Sequence, residues 1–311
     1  MDIEKLLDDK YTKGYADLHL HTIYSDGEYT PESIVQRAVS ENLRAIAITD
    51  HDTVEGIAHV LKKASLLPIK EGEQAGKTLE IIPGVELSAG SEKPASGSGG
   101  EIHIVGLFID YNDPTLLKTL KGLSVGRRER MHEMLKKLAE MGMPITMEEM
   151  GKFTTKNVIG RLHLAQAMEM KGYVRNTSEA FDKFIGDGKP AYVTRKHISV
   201  PKAISLIKKV GGIPILAHPH LLRDESVIPY LIEEGIEGIE IYYVNHGRNP
   251  SQKFIEMAKK HNLLISGGSD CHGIAKGKTF LGKVKVPYQA VEEMKIWKET
   301  RHEKRRTTDE R

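Results

Sequence analysis

Six short apolar runs punctuate the chain: AIAIT at 45–49, IIPGVEL at 81–87, IHIVGLFI at 102–109, IPILA at 213–217, GIEIYY at 238–243 and LLISGG at 263–268. Runs of this kind, rich in β-branched residues and without a polar face, read as strands buried on both sides, as in a parallel sheet. Helical patterns fill several of the gaps. Thr30-Pro31-Glu32 opens one, with Thr30 as N-cap and Pro31 at the first helical position, and Ile34, Val35, Ala38 and Val39 form its inward face. Residues 200–210, 224–235 and 250–261 read similarly. Strands alternating with helices build βα units, so the expected fold class is α/β with a parallel sheet, open or closed into a barrel.

Residues 114–188 break the alternation: they hold helical patterns and no convincing strand, and read as a helical insertion. Ahead of them, SAGSEKPASGSGGE at 88–101 is a Gly/Ser-rich loop. The closing stretch KETRHEKRRTTDER reads as a solvated or frayed tail. Lys+Arg 45 against Asp+Glu 43 leaves a formal charge of +2, which excludes the overall basic footprint of non-specific nucleic-acid binding. A single cysteine, Cys271, excludes an internal disulfide framework and fits a reducing compartment. The first fifteen residues lack the apolar core of a signal peptide, and no run reaches a membrane span of roughly 20 residues, so the expected setting is cytoplasmic.

Histidines and acids stand in or just after these runs. In DLHLHTIYSDG, His19 and His21 alternate on a strand-like segment and project from one side, where two neutral nitrogens can share a borderline cation; Asp26 can add an oxygen. In TDHDT, His51 leaves the end of a strand, the place where ligands collect in parallel α/β folds. Asp50 or Asp52 can orient its ring, or cap the following helix. Glu86 lies inside an apolar run, where a carboxylate demands a cation or a salt-bridge mate. His103, His218, Asp270 and His272 repeat the placement. Each alone can be a satisfied core residue; six histidines and three acids placed alike point to a metal cluster.

Together, HxHTxxSDG, TDHD, GVE, a later histidine after an apolar run, AHP and SDxH resemble the ordered motifs of the PHP (polymerase and histidinol phosphatase) superfamily, over residues from about 15 to 285. The resemblance implies a distorted (β/α)7 barrel with a helical insertion domain. It divides the chain into barrel residues 1–113, an insertion at 114–190 serving as substrate cap, barrel residues 191–290 and a charged tail at 291–311. It implies that His19, His21, Glu86 and Asp270 hold one metal, with Glu86 bridging to a second bound by His103 and His218. Asp26, His51 and His272 hold a third, with Asp26 standing where some relatives have histidine. NVIGRLHLAQAM at 157–168 and GDGKPAYV at 186–193 resemble the bacterial branch that hydrolyses nucleoside monophosphates, nucleoside 3',5'-bisphosphates and short RNA 5' ends. On that resemblance Arg161 and His163 reach over the barrel mouth to grip phosphate, with Lys189, Tyr192 and Arg195 as weaker candidates. Without it, Arg161 is an exposed arginine and His163 a helix-surface histidine.

The implied function is hydrolysis of nucleotide phosphomonoesters by attack of a metal-bound hydroxide, with two or three divalent ions (manganese, zinc or iron(II)) and Glu86, Asp270 and His272 as the candidate catalytic residues. His272 or a metal-bound water supplies the leaving-group proton. Cys271 is not read as a nucleophile, because no thiol motif accompanies it and its side chain points away from those of Asp270 and His272 on an extended segment. Two other readings are a histidinol-phosphate phosphatase and a non-catalytic metal-binding module. The expected partner is a small phosphorylated substrate, a nucleotide or short oligonucleotide, with no membrane and no stable long nucleic-acid partner.

Overall fold

The computed structural model describes residues 3–8, 12–66, 78–90, 101–153, 159–194, 197–222, 224–244, 250–273 and 280–309. Every apolar run forms a strand. The strands are β1 (Tyr15–Leu20), β2 (Leu43–Ile48), β3 (Glu80–Gly90), β4 (Glu101–Leu107), β5 (Ile198–Ser199), β6 (Ile213–Leu216), β7 (Gly238–Tyr242), β8 (Leu264–Gly267) and β9 (Val286–Pro287). They pair in the order β8-β7-β6-β4-β3-β2-β1-β9, with β5 beside β3. Just past β8, Cys271 bridges Leu20, and Asp270 N–H donates to the His19 carbonyl at 3.0 Å, so the first and last long strands meet. The result is a nearly closed, barrel-shaped mixed sheet with helices around it.

Two strands depart from the all-parallel expectation: the two-residue β9, antiparallel to β1, and β4. β4 runs antiparallel to both β3 and β6. Only residues 91–100 connect β3 to β4, too few for the crossover of a dozen or more residues, usually helical, that parallel neighbours need. The reversal matters for the site, since it brings the start of β4, with His103, to the end of the barrel where the other strands finish.

Helix signals acted locally as expected. Thr30 Oγ1 accepts the Ser33 N–H at 3.1 Å and caps the helix Pro31–Ser40, whose Ile34, Val35 and Ala38 are buried in the barrel core. The helix Glu55–Ala64 begins at Val54 without a side-chain cap, so neither Asp50 nor Asp52 caps it. The charged end of the chain is not a tail from 291 onward: a helix runs Gln289–Asp309, and Val291 and Met294 are buried against the barrel.

The helix Pro114–Glu140 belongs to two cores. Leu116 and Leu120 pack into the barrel, whereas Met131, Met134, Leu135 and Leu138 join Met150, Leu164, Met168 and Ile185 in a separate apolar cluster. The helices Met147–Met150 and Arg161–Met170 contribute to that second cluster. The boundary between the two cores therefore falls within the long helix rather than at its start at 114. Among the described residues no helix is long and apolar enough to cross a membrane.

Candidate metal centre

His19 ends up within β1 and His21 just past it, both fully buried, with ring centroids 5.2 Å apart. Glu86, near the middle of β3, is the hub. Its Oε2 lies 3.2 Å from His19 Nε2, 3.1 Å from His21 Nε2 and 3.1 Å from His51 Nδ1; its Oε1 lies 2.7 Å from His103 Nδ1 and 3.0 Å from His218 Nε2. Asp270 Oδ1 closes one side at 3.2 Å from His21 Nε2. On the other side Asp26 Oδ1 lies 3.3 Å from His272 Nε2 and 3.7 Å from His21 Nδ1, with His51 Nε2 at 3.9 Å from Asp26 Oδ2.

Three groupings of ligand atoms emerge: His19, His21, Glu86 and Asp270; His21, Asp26, His51 and His272; and His51, Glu86 and His103. His21 thus belongs to two groups, one through each ring nitrogen, and His51 borders Glu86 as well as Asp26. His218 stands beside the third group, 3.2 Å from His103.

The donor set fits cations. His19 Nε2, His21 Nε2, His51 Nδ1, Asp26 Oδ1 and Glu86 Oε2 are buried and make no hydrogen bond within the structure. An unsatisfied buried polar atom costs about 1–3 kcal/mol, and five such atoms facing one another in one cluster call for a shared partner. Ligand atoms held about 2.0–2.2 Å from a common ion lie roughly 3 Å from one another, the spacing found around Glu86.

Surrounding groups set the ring tautomers. Glu240 Oε1 lies 2.8 Å from His19 Nδ1, so in the neutral ring Nδ1 carries the proton and Nε2 presents a lone pair to the cluster. Its Oε2 accepts the His218 N–H at 2.7 Å, fixing a residue whose φ of 28° is unusual outside glycine. The Asp270 carbonyl, 2.8 Å from His272 Nδ1, similarly leaves His272 Nε2 toward Asp26. Asp270 itself has φ 49°, and the Tyr243 hydroxyl donates to its Oδ2 at 3.2 Å. Strained backbone gathered in this way is a mark of functional sites.

Charge is finely divided here. Burial pushes the Glu86 carboxyl up, but His51, His103 and His19 outweigh it and hold it well below the usual carboxylate range. Burial pulls His21 down, yet Asp270 and Glu86 raise it to about 9; for His103, Glu86 and Glu101 overcome burial and raise it to about 10. At His51 burial wins and lowers the ring to about 3.

The TDHDT acids are themselves held by neighbouring groups. Asp50 accepts the Thr22 N–H and hydroxyl, both at 2.7 Å, and the Ser25 hydroxyl at 2.5 Å, which holds the turn between His21 and Asp26. Asp52 receives Ser88 and Arg127. Cys271 is buried in the barrel core.

Above the cluster lies a cavity of about 810 Å³, lined by Asp26, His51 and His103 from the barrel and by Arg127, Arg130 and Arg161 from the insertion. Arg161 reaches it, half-buried and paired with Asp187 at 2.6 Å and with Glu101 at 3.5 Å. His163 is buried rather than on the helix surface; its Nδ1 accepts the Gly160 N–H at 3.1 Å, and burial lowers its pKa, so it is neutral. Lys189 is exposed, and Tyr192 is partly buried below the Arg130 guanidinium, 5.3 Å from its ring centroid. Arg195 lies outside the described residues.

Sequence reasoning missed Glu240 and Arg127. Glu240 carried a legible signal, an acid within the apolar run GIEIYY, the same signal that marked Glu86. Replacing it by glutamine is expected to loosen His19 and His218 and lower metal affinity about 10–100-fold. Metal titration of Glu240→Gln checks this, and an unchanged affinity would contradict the orienting role.

A barrel mouth carrying a cluster of histidines and carboxylates defines the class of metal-dependent hydrolases. The chain belongs to the PHP domain family, whose model matches residues 17–183. It is 31% identical over 261 residues to the 5'-3' exoribonuclease Rnm of Escherichia coli, covering 82% of this chain and 84% of that one. It is 30% identical over 273 residues to a 3',5'-nucleoside bisphosphate phosphatase of Chromobacterium violaceum, covering 86% and 90%. Among solved structures it resembles a Bifidobacterium adolescentis protein described as a metal-dependent phosphoesterase, with a TM-score of 0.77, 25% identity and coverage of 91% and 96%.

Proposed function

We propose that this chain is a cytoplasmic phosphoesterase acting on phosphomonoesters of nucleotides: nucleoside 3',5'-bisphosphates, AMP or the 5' ends of short RNA. The centre holds two or three divalent ions. One observation carries the reading: eight histidines and acids gather with Glu86 in one cluster beneath a cavity walled by Arg127, Arg130 and Arg161. The named relatives, an exoribonuclease and a nucleoside bisphosphate phosphatase, support the substrate class.

Imidazole with carboxylate suits manganese, zinc and iron(II) alike. Divalent ions bound there would lower the pKa of a bound water toward neutrality and draw charge from the phosphoryl oxygens. Glu86 serves both halves of the cluster, one oxygen to each, and Asp270 faces His19 and His21. The planar fork of Arg161 suits two phosphate oxygens, and an incoming phosphate competes with Asp187 and Glu101 for it. His272 has one ring nitrogen on the Asp270 carbonyl and the other on Asp26, so it holds an ion and solvent in the cavity protonates the leaving oxygen.

The test is phosphate release from adenosine 3',5'-bisphosphate, AMP, histidinol phosphate and a 5'-phosphorylated RNA oligomer by metal-stripped protein resupplied with manganese. Nucleotide turnover that disappears in His19→Ala is the expected result. Silence on the nucleotides, from folded protein of measured metal content, would refute it.

A further inference from the structure

The contact between Asp52 and Arg127 is not used by the chemistry above. Asp52 directly follows His51, and its carboxylate is buried, which is costly unless the charge is partnered. Its Oδ1 accepts the Ser88 N–H at 3.2 Å, and its Oδ2 accepts Arg127 Nε at 2.7 Å and Nη2 at 2.5 Å. Arg127 Nη2 also donates to Ser88 Oγ at 3.0 Å. The Asp52 backbone is left-handed, with φ 50°, a conformation costing about 1–3 kcal/mol outside glycine. Its N–H donates to the Glu86 carbonyl at 3.0 Å, and His51 bridges Glu86 across the same pair of segments. The short stretch 50–52 is thus pinned to β3 in a strained form, with a cluster histidine at its centre.

Arg127 comes from the helix Pro114–Glu140, between the turns that pack on the barrel and those that build the second core. One guanidinium therefore joins the segment carrying His51 to the helix that carries the insertion. It also lines the main cavity.

We propose that Arg127 is a positioning residue: through Asp52 it holds His51 toward Asp26 and His272, so that the ion held there is bound tightly only while the long helix is seated on the barrel. This rests on the reading of Asp26, His51 and His272, with His21, as a metal site. Without the guanidinium, the buried Asp52 carboxylate loses its two-pronged cationic partner. Segment 50–52 then relaxes out of its left-handed turn and carries His51 with it.

The experiment titrates metal-stripped, full-length Arg127→Met with manganese beside the wild type, counting bound ions by equilibrium dialysis. The affinity of the most weakly bound ion is expected to fall about 10–100-fold, as for other groups that orient ligands. Turnover should return when manganese is raised by the same factor, with KM for the nucleotide then unchanged. Arg127→Lys should recover part of the loss. Asp52→Asn, which keeps the shape and removes the charge, should show the same defect, and the double variant should be no worse than either single one, since effects on one shared contact do not add. Wild-type manganese affinity in folded Arg127→Met overturns the proposal, as do additive losses in the double variant. A raised KM that saturating manganese does not correct makes Arg127 a substrate contact and overturns it too. If Arg127→Met does not fold, Asp52→Asn alone decides between a weakened and an unchanged ion. A wild type that takes up no manganese refutes the metal reading itself, a result distinct from any of these.

Discussion

Replacing Glu86 by glutamine is expected to reduce turnover on the order of a thousandfold, comparable to the largest losses from removing a single preorganised electrostatic group. Its two oxygens stand within 3.2 Å of five imidazoles. Glutamine keeps the shape and removes the negative charge that holds His21 and His103 in their raised states. Its amide also turns a donor toward nitrogens that must present lone pairs. Metal content should fall together with turnover, and elemental analysis of purified Glu86→Gln reads it. A variant with full metal content and turnover within about tenfold of wild type would remove Glu86 from the centre of the argument.

Chelation should produce the second large effect, a loss of stability that reverses its pH dependence. An ion present at about a hundred to a thousand times its dissociation constant stabilises the folded chain by about 3–4 kcal/mol, and stripping it removes that. In the metal-free protein at pH 7, His21 and His103 carry protons, because their pKa values stand at about 9 and about 10. Each must shed its proton to bind a cation, so metal uptake releases protons at neutral pH and tightens as pH rises. Stripped protein behaves oppositely. A histidine whose pKa is raised on folding contributes stability that is complete below about 6.5, its unfolded value, and is lost as pH climbs through the folded value. His51, lowered to about 3, acts with the other sign, costing stability only as pH falls below about 6.5. Calorimetric midpoints of stripped protein should therefore decline from pH 7 to 10, while the loaded form resists the decline. Identical pH profiles for the two would contradict the assignment of these histidines as ligands.

Most strands and helices were legible because their signals are local. AIAIT, IPILA and LLISGG have no polar face to give water, and Thr30-Pro31 supplies a hydroxyl cap and a preset φ at one helix start. The reversed β4 was not read, although the short connection at 91–100 contained the clue. Glu240 was overlooked beside Glu86 despite the same acid-in-apolar setting. Arg127 had no such signal: within RRERMHEMLKK it looks like any solvated helix arginine, and its role comes from Asp52, 75 residues earlier. The burial of His163 was not legible either, because helical periodicity says nothing of what a neighbouring segment covers.

By itself the sequence determined which side chains can bind cations and that they stand in or beside buried strands, because residue chemistry and apolar runs are properties of a few consecutive positions. Only the tertiary structure decided how they are shared. It put Glu86 between five rings, divided His21 between two groups, neutralised Arg161 with Glu101 and Asp187, and tied His51 to a distant helix through Asp52 and Arg127. Those outcomes depend on barrel closure and on the direction of β4. Both arise from long-range packing, where a few ångströms decide whether a carboxylate meets one partner or five.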